Sequence, residues 1–182
     1  MAYLSSEQLA QMGFKALGQE VRIGDRASIY NADEIKIDKY SRIDDFCVIT
    51  GKVKIGKFNH IIPMCLVTGG ISGIIFEDFF TLTYGAKIFF QSDDRSGQTL
   101  TKSLISPKYK NEKLSAVHVH KHVIVGAAAV VFPSVVLAEG GGGGLVTKST
   151  DAWCIDGWRA CKKSQGQEER FTKARRGILR WA

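Results

Sequence analysis

His60 and the adjacent acids Asp93 and Asp94 are the side chains in this 182-residue sequence best suited to moving a proton. Imidazole ionises near neutrality, so His60 is the expected general base for a hydroxyl nucleophile, a role that contributes about 10²–10⁴-fold in rate. Asp93 and Asp94 would orient that imidazole or accept hydrogen bonds from acceptor hydroxyls. Adjacent acids in a polar segment also form turns, and the pair Asp44 and Asp45 has the same double reading, with Asp44 the turn former. His118, His120 and His122 alternate along the chain. In one extended strand the three would share a side, and imidazole is a common zinc ligand. The register derived next puts His120 at a turn and His122 at the following corner. They are therefore expected to fan apart, and no metal site is expected.

These groups need a scaffold, and the sequence supplies one by repetition. Large apolar residues return every six positions: Ile23, Ile29, Ile35; Ile37, Ile43, Ile49; Ile55, Ile61, Val67; Phe76, Leu82, Ile88; Val119, Val125, Val131, Leu137. Four residues after many of these anchors stands a small side chain, as at Ala27, Ser41, Cys47, Asn59, Cys65, Ala86 and Ala129. A glycine or acid often follows the anchor directly, as at Gly24, Asp38, Asp44, Gly56, Glu77 and Gly126. A large inward residue, a turn and a small inward residue make one flat face of a three-sided column, whose coils bury their apolar corners only by stacking. Each fully buried anchor contributes roughly 1.5–3 kcal/mol, so the set can offset the ordering entropy of about five coils. The period places His60 just before the inward Ile61, with its ring directed outward.

The expected organisation is an N-terminal helix and cap over 1–20, an all-β column over 21–150 with a projecting loop at 91–116, and a closing segment with a basic helix over 151–182. Ser5 followed by Gln8 fits a capping box for a short helix ending near Gly13. The polar segment between Ile88 and Val119 breaks the period and must leave the column, and long loops in repeat domains usually carry function. Gly140 to Gly144 break it again, because glycine supplies no corner residue and weakens a strand. Cys47, Cys65, Cys154 and Cys161 have no metal-binding spacing and are read as reduced thiols, hence a cytoplasmic protein. The N-terminus lacks the apolar stretch of a signal peptide, and the uncharged run Val123–Ala138 is too short to span a bilayer. Of the net charge of +7, +6 falls in 159–182, where eight Lys and Arg face Glu168 and Glu169. Such a tail attracts phosphates or an anionic membrane surface. It has no aromatic platform for nucleic acid, so none is expected as a partner.

Several ordered blocks, among them Arg42-Ile-Asp-Asp-Phe-Cys47, Lys54-Ile-Gly-Lys-Phe-Asn-His-Ile61, Ser92-Asp-Asp-Arg-Ser-Gly97, Lys121-His-Val-Ile-Val-Gly-Ala127 and Leu145-Val-Thr-Lys148, resemble the hexapeptide-repeat acetyltransferases. The likeness spans about residues 10 to 163 and is nearest to members that modify cell-surface polysaccharides or galactosides. It implies a left-handed parallel β-helix, a homotrimer, acetyl-CoA in the groove between neighbouring subunits, and a saccharide acceptor beneath the projecting loop. Gly126, Ala127, Ala128 and Ser134 resemble the stretch against which the pantetheine arm lies, and Lys148, Lys162 and Lys163 would meet the coenzyme's phosphates. The family's closing A-G-x-P-A block stands here as Asp156-Gly-Trp-Arg-Ala160, in which Gly157 and Ala160 match. In galactoside and maltose acetyltransferases the catalytic histidine lies in the loop after the coil, where this chain has Ser92-Asp93-Asp94, so the resemblance leaves the assignment open between His60 and these acids.

The expected activity is acetyl-CoA-dependent O-acetylation of a saccharide by direct transfer, without a covalent acyl-enzyme. Three alternatives stand beside it: N-acetylation of a nucleotide-linked amino sugar, zinc chemistry of the γ-carbonic-anhydrase kind, and a non-catalytic trimeric binding module.

Overall fold

A computed structural model describes residues 2–94, 96–101, 104–156 and 162–163. The chain winds into a parallel β-helix whose strands are mostly two or three residues long, because the backbone turns a corner every hexad. Three ladders make the sides. One stacks Arg22–Ile23, Arg42–Ile43, His60–Ile61 and Thr81–Leu82 in parallel, and continues through Val125 to Gly143. A second runs from Ser28–Tyr30 through Val48, Leu66 and Lys87 to Val130. The third joins Ala16–Leu17, Lys36–Ile37, Lys54–Ile55, Ile75, His118–Val119 and Val136–Leu137. The first strand, Ala16–Leu17, thus begins the column ahead of residue 21.

Register puts anchor on anchor: Ile23, Ile43, Ile61, Leu82 and Val125 stack in sequence, all fully buried. Of the period-six set, Ile29 alone is only partly buried, packed against the core near the open end. The small residues fill the remaining interior and tie coils together. Ser41 donates to Gly56 O at 2.7 Å and accepts from Asn59 N at 3.1 Å. Asn59 in turn donates to Glu77 O at 2.9 Å and accepts from Phe80 N at 2.7 Å. Cys47 and Cys65 are buried free thiols that donate to carbonyls one coil on, at 3.2 and 3.1 Å. Cys154 differs from the reduced thiol expected, because it is disulfide-bonded.

The left-handed residue lies three positions after the anchor, at Tyr40, Phe46, Phe58, Met64, Phe79, His122, Ala128 and Ser134, and is seldom glycine. A left-handed L-residue costs roughly 1–2 kcal/mol. Stacking offsets this along one corner, where Tyr40, Phe58, Phe79 and His122 lie ring on ring at 5.1 Å spacing.

The N-terminal helix is Ser6–Gln11, closed by both bonds of a Ser5/Gln8 capping box, with Leu9 in the core. The glycine run does not interrupt the column. Gly142–Val146 is a strand, with Gly142 and Gly143 paired to Ile124 and Val125. Parallel ladder bonds need only backbone, and a Cβ on Gly142 would stand 2.5 Å from Ile124 O. Trp153 takes the next corner and lies over Gly140, leaning to within 6.5 Å of His122. The basic helix expected toward the C-terminus lies outside the described residues. No helix among the described residues is long and apolar enough to cross a membrane.

Candidate active site

The projecting loop leaves the column after the strand Lys87–Phe89 and returns before Val117–Val119. Phe90 anchors its exit by packing over Gly70, where a Cβ would meet the ring at 2.1 Å. The two stems then pair as an antiparallel ribbon, Gln91–Ser92 with Lys113–Leu114. Beneath the loop a cleft of about 620 Å³ is lined by Asp93, Asp94, Asn111, Glu112, Phe132 and Pro133.

The two loop acids have different surroundings. Asp94 accepts from Ser96 N at 2.9 Å, Ser96 Oγ at 2.8 Å and Thr99 Oγ1 at 2.9 Å. These donors favour the ionised form and hold its carboxyl below the usual carboxylate range. Asp93 is exposed at the cleft, and its carboxylate has no partner among the described residues. The pair therefore offers a fixed anion beside an exposed one.

His60 faces outward as its register required, with its ring 35% exposed. Its orienting group is Asp44, not Asp93 or Asp94: His60 Nε2 lies 2.8 Å from Asp44 Oδ2. Asp44 is buried and also accepts from Arg42 Nε at 2.5 Å, an interaction that raises the guanidinium pKa. Its role exceeds the turn former expected. Arg42 and His60 are register partners on adjacent coils, so the helical period does encode this cluster. Neither cleft that Asp93 and Asp94 line includes His60. Asp45 Oδ1, at the residue after Asp44 in the same corner, is buried without a partner among the described residues.

The histidine run also departs from expectation. His118 and His120 do not fan apart: their rings stack at 4.3 Å, and both approach one oxygen of Glu77, His118 Nε2 at 3.0 Å and His120 Nδ1 at 3.1 Å. They occupy alternate positions of one extended segment, so both project to the same side. Only His122 turns away, into the aromatic corner stack. Gly126, Ala127 and Ala128 form the irregular middle of Ile124–Val131, between the paired Val125 and Val130, and present little side chain at the surface. Ser134 and Lys148 are exposed. Lys162–Lys163 is a strand antiparallel to Cys154–Asp156, while Gly157 and Ala160 lie outside the described residues.

A parallel β-helix of hexads, one inserted loop and a carboxylate-lined cleft beneath it define a class: the chain belongs to the hexapeptide-repeat, left-handed β-helix acyltransferases and is an acyltransferase. Among its relatives, dTDP-4-amino-4,6-dideoxy-D-glucose acyltransferase of Escherichia coli is 34% identical over 142 residues, covering 77% of this chain and 74% of that protein. AntD, an N-acyltransferase from Bacillus cereus solved with dTDP and 3-hydroxybutyryl-CoA, superimposes with a TM-score of 0.92 at 36% identity, covering 98% of this chain and 96% of its own. A hexapeptide-repeat acetyltransferase from Vibrio cholerae shares the fold alone, at a TM-score of 0.57 and 10% identity over 91% of this chain and 82% of its own. No protein-family model matches the chain.

Proposed function

We propose that this protein transfers an acyl group from an acyl-coenzyme A to the amino group of a nucleotide-linked amino sugar. The observation that carries the reading is the pair of carboxylates in the cleft under the loop, in a chain related over most of its length to an enzyme named for a dTDP-amino sugar. The likeness to AntD, an N-acyltransferase, favours nitrogen over the oxygen acceptor first expected.

The chemistry fits carboxylates. A neutral amine attacks the thioester carbonyl without prior deprotonation, and as the C–N bond forms the nitrogen becomes cationic and strongly acidic. An ionised carboxylate then suffices as acceptor, whereas a hydroxyl needs a base nearer neutrality. Asp94, held ionised by three donors, and the exposed Asp93 are assigned this work. Collapse of the tetrahedral species breaks the C–S bond, and the proton passes on to the departing thiolate. The small-residue stretch Gly126 to Ala128, with Ser134, is assigned to the pantetheine arm, and Lys148 with Lys162 and Lys163 to the coenzyme's phosphates. Gly157, in the closing block, is assigned to coenzyme binding as well. A homotrimer supplies the second wall of a shallow cleft, and the protein is placed in the cytoplasm, where coenzyme A thioesters and nucleotide sugars are made.

The Asp44–His60 pair favours a second reading, in which His60 acts as base toward a hydroxyl acceptor. Turnover with dTDP-4-amino-4,6-dideoxyglucose and with its 4-hydroxy counterpart separates the two. On the first reading the amine is preferred, and Asp93→Asn or Asp94→Asn lowers kcat by about 10²–10⁴-fold. Preference for the hydroxyl, with loss of activity in His60→Ala and not in the aspartate variants, would install the second.

A further inference from the structure

Glu77, His118 and His120 have no part in the acyl transfer proposed above, yet they converge more closely than any other set of metal-ligating side chains among the described residues. One donor atom from each lies within 4.8 Å of the other two. Both imidazoles are about one-third exposed, as is the carboxylate, so the cluster opens to solvent rather than being sealed. All three backbones are pinned. Glu77 N donates to Val119 O at 2.9 Å, His118 N to Val135 O at 3.2 Å, and His120 N to Leu137 O at 2.9 Å.

We infer that Glu77, His118 and His120 bind one divalent transition-metal ion of the Zn²⁺ class. Two imidazole nitrogens and one carboxylate oxygen suit such an ion, and do not suit Ca²⁺ or Mg²⁺, which take oxygen ligands. Ligand atoms bound tetrahedrally at about 2.0–2.1 Å stand roughly 3.3 Å from one another. His118 Nε2 and His120 Nδ1 already lie 3.0 and 3.1 Å from Glu77 Oε1, so small side-chain rotations admit the ion without moving a strand. Water has access to the fourth position. Lys36, Lys54, Lys57 and Lys121 line the same groove as Glu77 and oppose the charge of a cation, and Asp38 and Asp78 offset part of that opposition.

The position gives the ion a structural task. Glu77 follows the coil side Leu66–Phe76, two sides before the projecting loop leaves after Lys87–Phe89, and His118 and His120 stand on and just after Val117–Val119, the segment that receives its return. A shared ion joins the coil below the insertion to the coil above it. That clamp acts where, among the described residues, chain continuity between neighbouring coils is interrupted by a long excursion.

The test uses the full-length, untagged protein, stripped with chelator and titrated with Zn²⁺ by calorimetry and with Co²⁺ by visible absorption. The expected result is one ion per chain, a four-coordinate cobalt spectrum without thiolate charge-transfer bands, and a higher melting temperature with zinc. His118→Asn and His120→Asn should each weaken binding at least tenfold, Glu77→Gln should weaken it as well, and the double histidine variant should lose the zinc-dependent melting shift. Absence of stoichiometric binding by the wild-type chain overturns the inference whatever the variants do. So does a cobalt spectrum showing thiolate ligation, or affinity unchanged in folded variants.

Discussion

Replacing glycines of the run 140–144 one at a time by alanine should separate into opposite effects, although the residues are identical and consecutive. Gly140 has φ +66°, and a Cβ there would stand 2.3–2.6 Å from ring atoms of Trp153. The left-handed conformation costs a non-glycine residue roughly 1–2 kcal/mol. Displacing the indole from a packed corner adds about 1–3 kcal/mol, the usual cost of overpacking. Gly140→Ala should therefore destabilise by about 2–5 kcal/mol, which for a chain of this size lowers the melting temperature by roughly 4–20 °C. Gly144 has open space where its Cβ would stand and a negative φ region. Gly144→Ala should be neutral or stabilise by up to about 1 kcal/mol, through the reduced freedom of the unfolded chain. Chemical denaturation followed by circular dichroism measures both, and tryptophan emission reports the Trp153 environment. Equal midpoint shifts for the two variants, or an unchanged midpoint in Gly140→Ala, would refute the assignment of Trp153 to the Gly140 corner.

Asn59→Ala should cost about 2–6 kcal/mol, because Phe80 N–H and Glu77 C=O would each lose their side-chain partner at about 1–3 kcal/mol. A shift in denaturation free energy below about 0.5 kcal/mol would remove Asn59 from the inter-coil ladder. Asp94 has a depressed pKa in the folded loop, so its contribution to loop order is complete above the unfolded aspartate value of about 3.9 and is lost as pH falls through the lower folded value. Amide exchange at Ser96 and Gln98, measured through that acid window, should quicken in the wild type and be fast and pH-insensitive, after correction for intrinsic exchange, in Asp94→Asn. Protection that persists unchanged in the variant would show that other contacts hold the loop.

The column was legible in the sequence because its cause is periodic. Burial of Ile23, Ile43, Ile61 and Leu82 follows from one spacing, and the same spacing aims His60 outward. The loop at 91–116 was legible for the complementary reason: its polar residues cannot occupy an apolar interior. The corners were not, because Tyr40, Phe58 and Phe79 have no intrinsic preference for positive φ and adopt it only where stacked neighbours return the cost. The glycine run was misread as a break, since a backbone ladder carries no side-chain signature and the reason for Gly140 lies thirteen residues away in Trp153.

Local pattern alone determined which residues face inward, where the chain leaves the column and that the adjacent acids Asp93 and Asp94 lie in the excursion. Only the winding decided who meets whom. Asp44 reaches His60 because one turn of the column separates them, and Glu77 reaches His118 and His120 across the whole length of the loop. Contacts between coils depend on the number of residues consumed by each turn and insertion. That sum is set by the folded path and by no stretch of sequence read singly.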